Sequence, residues 1–485
     1  MSARAVMVLG TTSGAGKSWL ATALCRWYAR RGLKVAPFKA QNMSNNARVV
    51  PGVDGRLGEI GSAQYFQALA ARRTPEVRMN PVLLKPERDT ASQVVVMGEV
   101  RADLAAVPWR KRSEALWPFA REALQGLMND NDLVVIEGAG SPAEINLHAS
   151  DYVNMRTALA AQAACLLVTD IDRGGAFAHL YGTHQLLPEA ERRLLRGFVL
   201  NRFRGDASLL PPGPQQLQQL TGVPTLAVLP MWRGHGLPEE DGVFDDAPTG
   251  TGLRIAVVAY PRISNLDEFQ PLRSLPGVRL SWAREPGDLA GADWVILPGS
   301  KHTSGDLAWL RSQGLDAAIA QHAASGRRVL GLCGGLQMLG DALIDPHGVD
   351  GEGPGLGLLP LVTRFDLHKH LAATTMRFGL VQGEWSALSG VEAHGYEIRH
   401  GRTELSPGAS ASAVLMNGQG ETIGWQRGNV LGLYAHGLFE SAPVLRALFG
   451  AGIKPLDDVF DGLADFIDTH FEPNSLMDLL TPTPP

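Results

Sequence analysis

Cysteine is scarce, with three in 485 residues, at positions 25, 165 and 333. So few thiols, so far apart, exclude a disulfide framework and a clustered thiolate metal site. No uninterrupted apolar run approaches the roughly 18 residues of a membrane span. The chain begins Met1-Ser2-Ala3-Arg4 and runs straight into a strand-like stretch, without the pattern of a signal peptide. A cytoplasmic protein with no membrane partner is therefore expected. Positive charge is not in excess either. The net charge of -5 argues against a broad nucleic-acid surface, while leaving room for a local basic pocket. No short repeat is present. Apolar residues at 45% and charged residues at 19% are ordinary for a globular chain. The length calls for two or more domains with full cores.

Of the three thiols, Cys333 stands apart. Val329-Leu330-Gly331-Leu332-Cys333-Gly334-Gly335-Leu336-Gln337 reads as a short buried strand, an abrupt turn with the thiol at its tip, and the start of a helix. Flanking glycines suit a turn that holds a nucleophile in a strained conformation, and a helix N-terminus favours the reactive thiolate. Such an elbow points to acyl transfer through a thioester. Cys25 and Cys165 lie in apolar runs and are expected in the core. The matching base is expected at His436, which directly follows the short apolar strand Gly432-Leu433-Tyr434-Ala435. His394 is the competitor among 13 histidines, and Glu440 is one group that could orient the imidazole.

At the other end, Ala5 to Leu9 is an apolar strand. Gly10-Thr11-Thr12-Ser13-Gly14-Ala15-Gly16-Lys17-Ser18 follows, and then a helical pattern. This is a phosphate-binding loop in its required context. Backbone N–H groups and the helix dipole would hold the phosphates of ATP, Lys17 the terminal ones, and the Ser18 hydroxyl Mg²⁺. The first glycine falls one residue earlier than the standard spacing, a departure similar to dethiobiotin synthetase and its relatives. Leu133 to Ile136 is a buried strand ending in Glu137. Ligands gather at the carboxyl ends of strands in open α/β sheets, so Glu137 is the first choice for a second Mg²⁺ contact and Glu59 the second.

Longer segments are more specific. Phe38-Lys39-Ala40-Gln41-Asn42-Met43, Met79 to Pro86, Glu137 to Leu147 and Asp170 to Gly175 together resemble the cobyric acid synthases over nearly the whole chain. The resemblance implies an α/β protein of two doubly wound parallel-sheet domains, a dethiobiotin-synthetase-like phosphate-loop domain followed by a glutamine amidotransferase-like domain of the triad kind. It implies ATP, Mg²⁺ and glutamine as requirements. The implied corrinoid substrate is adenosylcobyrinic acid a,c-diamide, amidated at its b, d, e and g carboxylates. In triad glutaminases the turn matching Gly299 and Ser300 supplies an oxyanion N–H, with Gly334 as the second donor. Those enzymes carry a glutamate two residues after the histidine; here that position is Leu438, a departure shared by the cobalamin-type subfamily. A polyanionic substrate needs cations, for which Lys39, Lys85 and Arg173 are candidates.

The proline-, glycine- and acid-rich stretch ending near residue 252 marks the domain boundary. The expected division is an amidoligase domain 1–235, a linker 236–252, a glutaminase domain 253–447 and an extension 448–485 with a frayed tail. A homo-oligomer is left open. The nearest rival is cobyrinic acid a,c-diamide synthase, with the same chemistry on an earlier intermediate. From another class comes a partition-type switch ATPase, which would not need Cys333.

Overall fold

The computed structural model describes residues 3–88, 91–238, 252–450 and 452–481. Most of the expected linker, and the last four residues of the tail, lie outside these. The first half is built on a parallel sheet of six strands. Their order is Thr225–Pro230, Leu195–Phe203, Ala164–Asp170, Arg4–Gly10, Leu133–Glu137 and Val35–Phe38. The central strands are apolar and buried along nearly their whole length, as a sheet covered by helices on both faces requires. Apolar clusters pack on either face, one of them under the phosphate-loop helix Lys17–Arg30.

The second half starts as a five-strand parallel sheet in the order Val278–Ala283, Leu253–Val258, Trp294–Leu297, Arg328–Leu332 and Val430–Leu433. Beyond the last of these it continues antiparallel, through Thr422–Arg427 and Ser412–Met416 to a long pair, Leu361–Phe378 with Glu392–Leu405. Sequence reading did not anticipate this wing. The register shifts between Phe365 and His370, and the charged residues there interrupt the alternating pattern that announces a strand. The wing reaches the first half, where Tyr396 and Ile398 pack with Ala47, Leu83 and Val95.

The chain then returns to its beginning. Helix Leu456–His470 lays Val459, Phe460, Leu463 and Ile467 on the apolar cluster under the phosphate-loop helix. Its acidic side meets that helix's arginines, with Arg26 to Asp461 at 2.8 Å, Arg30 to Asp465 at 2.6 Å and Arg31 to Asp468 at 2.6 Å. Among the described residues no helix is long and apolar enough to cross a membrane.

Candidate active site

The phosphate loop joins the central strand Arg4–Gly10 to its helix. Gly16 has φ +97° and lies against Asn201, whose side-chain amide donates to the Ala15 carbonyl at 2.9 Å. A side chain at Gly16 would be strained by the dihedral and blocked by Asn201. Lys17 is buried, its ammonium donating to the carbonyls of Thr12 (2.8 Å), Ser13 (3.2 Å) and Gly140 (3.0 Å). Thr11 meets Thr169 side chain to side chain at 2.9 Å. The Ser18 hydroxyl donates to Glu137 at 2.7 Å. Glu137 also takes Lys39 at 2.8 Å and the side-chain amides of Gln64 and Gln67 at 3.3 and 2.5 Å. Burial opposes its charge, but Lys39 and these donors hold the carboxyl below its usual range. Arg173 is exposed, pairs with Asp170 at 3.4 Å and reaches over the loop, 3.7 Å from where a Cβ on Gly14 would sit.

In the second half Cys333 caps the helix Gly334–Leu339 with φ +49° and ψ −105°, a left-handed conformation that a non-glycine residue adopts at a cost of about 1–3 kcal/mol. The strain therefore sits on the cysteine itself, and the glycines serve close approach. A Cβ on Gly335 would fall 1.9 Å from the Leu297 carbonyl oxygen, and one on Gly334 2.7 Å from the Ser300 nitrogen. Ser300 belongs to Gly299–Ser300, paired antiparallel with Ile263–Ser264. Lys301 N–H donates to Arg262 at 2.8 Å. Antiparallel alternation then makes Gly299–Ser264 the next mutually bonded pair, which turns the Ser300 N–H away from that strand. Of the three expected oxyanion residues, Ser300 and Gly334 meet backbone to backbone, while Gly299 packs against the His436 ring.

His436 is buried and lines the same cleft as Cys333, whose thiol donates to the Ile398 carbonyl at 3.5 Å. Its other side meets a residue that sequence reading missed, Glu268. The Glu268 carboxylate lies 3.2 Å from His436 Nδ1 and accepts the Gly437 N–H at 3.2 Å. Burial works against the imidazolium, yet Glu268 and Cys333 push its pKa from 6.5 up to about 10. Tyr396 holds the ring from below, stacked at 5.4 Å and exchanging backbone hydrogen bonds with His436. The competitor His394 is exposed on the antiparallel wing. Glu440 serves a different group, pairing with Arg48 of the first half at 2.6 Å. The signal for Glu268 was present in Leu266-Asp267-Glu268-Phe269, two adjacent carboxylates between apolar residues just after the strand Leu253–Val258.

The Cys333 cleft encloses about 520 Å³ including its open mouth, and Ser300, Gln337, His436, Lys369 and Lys85 are among its walls. Lys85 comes from the first half, so the cleft opens onto the domain interface. There Glu59, expected as a metal contact, is fully buried and engaged elsewhere. Lys85 donates to it at 2.9 Å, and Lys369 from the antiparallel wing donates to its other oxygen. Despite burial, these two ammonium groups hold the Glu59 carboxyl down to about 2, while burial brings Lys369 down to about 7. Glu59 is thus an interface counterion, and Glu137 is the carboxylate beside Ser18. Lys39 is likewise bound to Glu137, and Lys85 to Glu59. Cys25 and Cys165 are buried, and burial pushes both thiols up, in keeping with the core placement expected.

Comparison with known proteins follows the same division. Residues 6–233 match the CobQ/CobB/MinD/ParA nucleotide binding domain family, and residues 254–444 match the CobB/CobQ-like glutamine amidotransferase domain family. The chain is similar to cobyric acid synthase of Methylibium petroleiphilum, 76% identical over 100% of this chain and 98% of that protein. It is 72% identical to cobyric acid synthase of Leptothrix cholodnii, again over 100% of this chain and 98% of the relative. With full-length identity at this level, the chain belongs to the cobyric acid synthase family.

Proposed function

We propose that the two halves divide one amidation between them, the second releasing nitrogen from glutamine and the first activating a corrinoid carboxylate to receive it. The Cys333 thiolate attacks the glutamine amide carbon. The developing oxyanion meets the Ser300 and Gly334 N–H groups, donors worth about 3 kcal/mol of barrier each. His436 gives its proton to the leaving nitrogen, then draws one from the water that hydrolyses the thioester. Glu268 fixes the ring and stabilises its charged form, the task an acidic residue performs in hydrolytic triads.

A free carboxylate accepts nitrogen poorly because its oxygen leaves badly. Transfer of the ATP γ-phosphoryl group to it creates a good leaving group, and the phosphate loop suits that step. Magnesium keeps its waters and phosphate ligands and takes only one or two protein oxygens; the Ser18 hydroxyl and Glu137 carboxylate, side by side, fit that need. Mg²⁺ would there offset phosphate charge. Lys17 holds the terminal phosphates, and Arg173, exposed above the loop, is placed to meet an anionic substrate. The substrate is adenosylcobyrinic acid a,c-diamide, amidated at b, d, e and g.

The Glu268–His436 pair in the cleft that Cys333 lines, in one chain with Ser18 beside Glu137, carries this reading. Mass spectrometry of product from protein, ATP, Mg²⁺, glutamine and candidate corrinoids tests it, since each amide formed changes the mass by the same step. Cys333→Ala should abolish amidation from glutamine and spare amidation from ammonium salt. Loss of both would overturn the two-site division.

A further inference from the structure

One buried cation near the glutaminase histidine comes from the wrong half of the chain for glutamine chemistry. Arg48 stands on the hairpin Ala47–Pro51 with Leu57–Gly61, its side chain 2% exposed. Its guanidinium crosses the interface and forks onto Glu440 at 2.9 and 2.6 Å, and it also donates to Asp267. The rings of Phe66, Tyr396 and Tyr65 surround it at 4.9, 5.1 and 5.3 Å. Both acceptors have telling neighbours. Asp267 immediately precedes Glu268, and Glu440 ends the short turn Leu438–Glu440 that follows His436 and Gly437. The residues beside Arg48 reinforce the grip. The Asn46 side chain accepts the Leu266 N–H at 2.8 Å, and the Ala47 carbonyl accepts the Asn265 side-chain amide at 2.9 Å.

Glu268 and His436 therefore sit on two segments, far apart in sequence, that are fastened to each other through a side chain of the nucleotide half. Building on the glutaminase reading above, we propose that Arg48 is a positioning residue for glutamine hydrolysis, supplied across the domain interface, so that the Glu268–His436 pair is held in register only when the two halves are docked. A planar, bidentate donor is the side chain that can fix two carboxylates in one geometry. Arg48 does not line the Cys333 cleft, so its loss should act on turnover more than on glutamine binding.

The test compares wild type with Arg48→Met, Arg48→Lys and Glu440→Ala, measuring glutamine hydrolysis alongside ammonium-driven amidation. Arg48→Met should lower kcat for hydrolysis by about tenfold, the scale of an indirect coupling, with KM for glutamine nearly unchanged and ammonium-driven amidation retained. Arg48→Lys, keeping the charge without the fork, should recover part of the loss. If Arg48→Met does not fold, judged by absent ammonium-driven amidation, Glu440→Ala decides in its place, because that partner is partly exposed and lies in the other half. A wild-type kcat in the deciding variant, or a loss confined to KM, would overturn the proposal. Failure of the wild-type protein to hydrolyse glutamine would instead remove the glutaminase reading beneath it.

Discussion

Glu268→Gln is the sharpest perturbation available, since it removes a charge at nearly constant shape. His436 is fully enclosed, and an isolated buried imidazole would shed its proton. Its pKa is nevertheless raised from 6.5 to about 10, a net preference for the imidazolium of roughly 5 kcal/mol. Against the opposing burial, the charge of Glu268 is the largest single favourable cause. Breaking a buried charge pair by neutralising one partner costs about 3–5 kcal/mol, which on the barrier corresponds to a drop in hydrolysis of roughly 10²–10⁴-fold. The loss should fall on glutamate release from glutamine, while ammonium-driven amidation changes little. Alkylation of Cys333 by iodoacetamide at neutral pH should slow as well, because His436 without the Glu268 charge is a weaker base beside it. Glutamine hydrolysis within threefold of wild type, in a protein of unchanged unfolding temperature, would refute the assignment of Glu268 and the charge argument with it.

Other outcomes follow from the same geometry. Lys17→Ala should remove amidation from both glutamine and ammonium salt while hydrolysis of glutamine persists; amidation retained with ATP would contradict the role given to the loop. Gly335→Ala, which drives a Cβ into the Leu297 carbonyl, should abolish soluble expression or glutaminase activity, whereas Gly379→Ala, with nothing near its Cβ, should be neutral. Glu59 has its folded pKa lowered from 4.5 to about 2, so its stabilisation is complete above pH 4.5 and is lost as pH falls toward 2, roughly 3 kcal/mol in all. Denaturant titrations across that window should show a shallower acid dependence for Glu59→Gln than for wild type, and equal slopes would sink the ion-pair account.

What could be read from the sequence depended on how local each signal was. The phosphate loop and the Cys333 elbow are written within ten residues each, because a strand, a turn and a helix must follow one another for the site to form. His436 was legible for the same reason, following a short strand that pairs beside the elbow strand. Glu268 was not, because it lies 168 residues from the imidazole it orients and belongs to no motif. Position 438, where the triad pattern would place a glutamate, is a buried leucine, and the carboxylate arrives from another strand end instead. Glu440, near in sequence, turns out to serve Arg48, 392 residues away. The C-terminal extension was set apart only by its bounds, and neither its helix nor its place was read, since the place depends on matching Asp461, Asp465 and Asp468 to arginines near the other end of the chain.

The interface shows why these distant residues belong in one account. Arg48 rises from a hairpin whose second strand ends at Gly61, and the next helix, Ser62–Ala70, carries Gln64 and Gln67. Those two amides bond to the same Glu137 oxygen, while Ser18 and Lys39 take the other. A single continuous segment, residues 46–67, therefore touches the carboxylate beside the phosphate loop at one end and, at the other, the residues flanking Glu268 and His436. Nitrogen made in one half is useful only if it meets an activated acid in the other, and unbound ammonia near neutral pH is mostly protonated and inert toward that acid. That segment links the two sites through continuous chain, and the Cys333 cleft has Lys85 of the first half in its wall. On the proposed division of labour, either chemistry alone would waste its substrate, which is a reason for the two to share one interface.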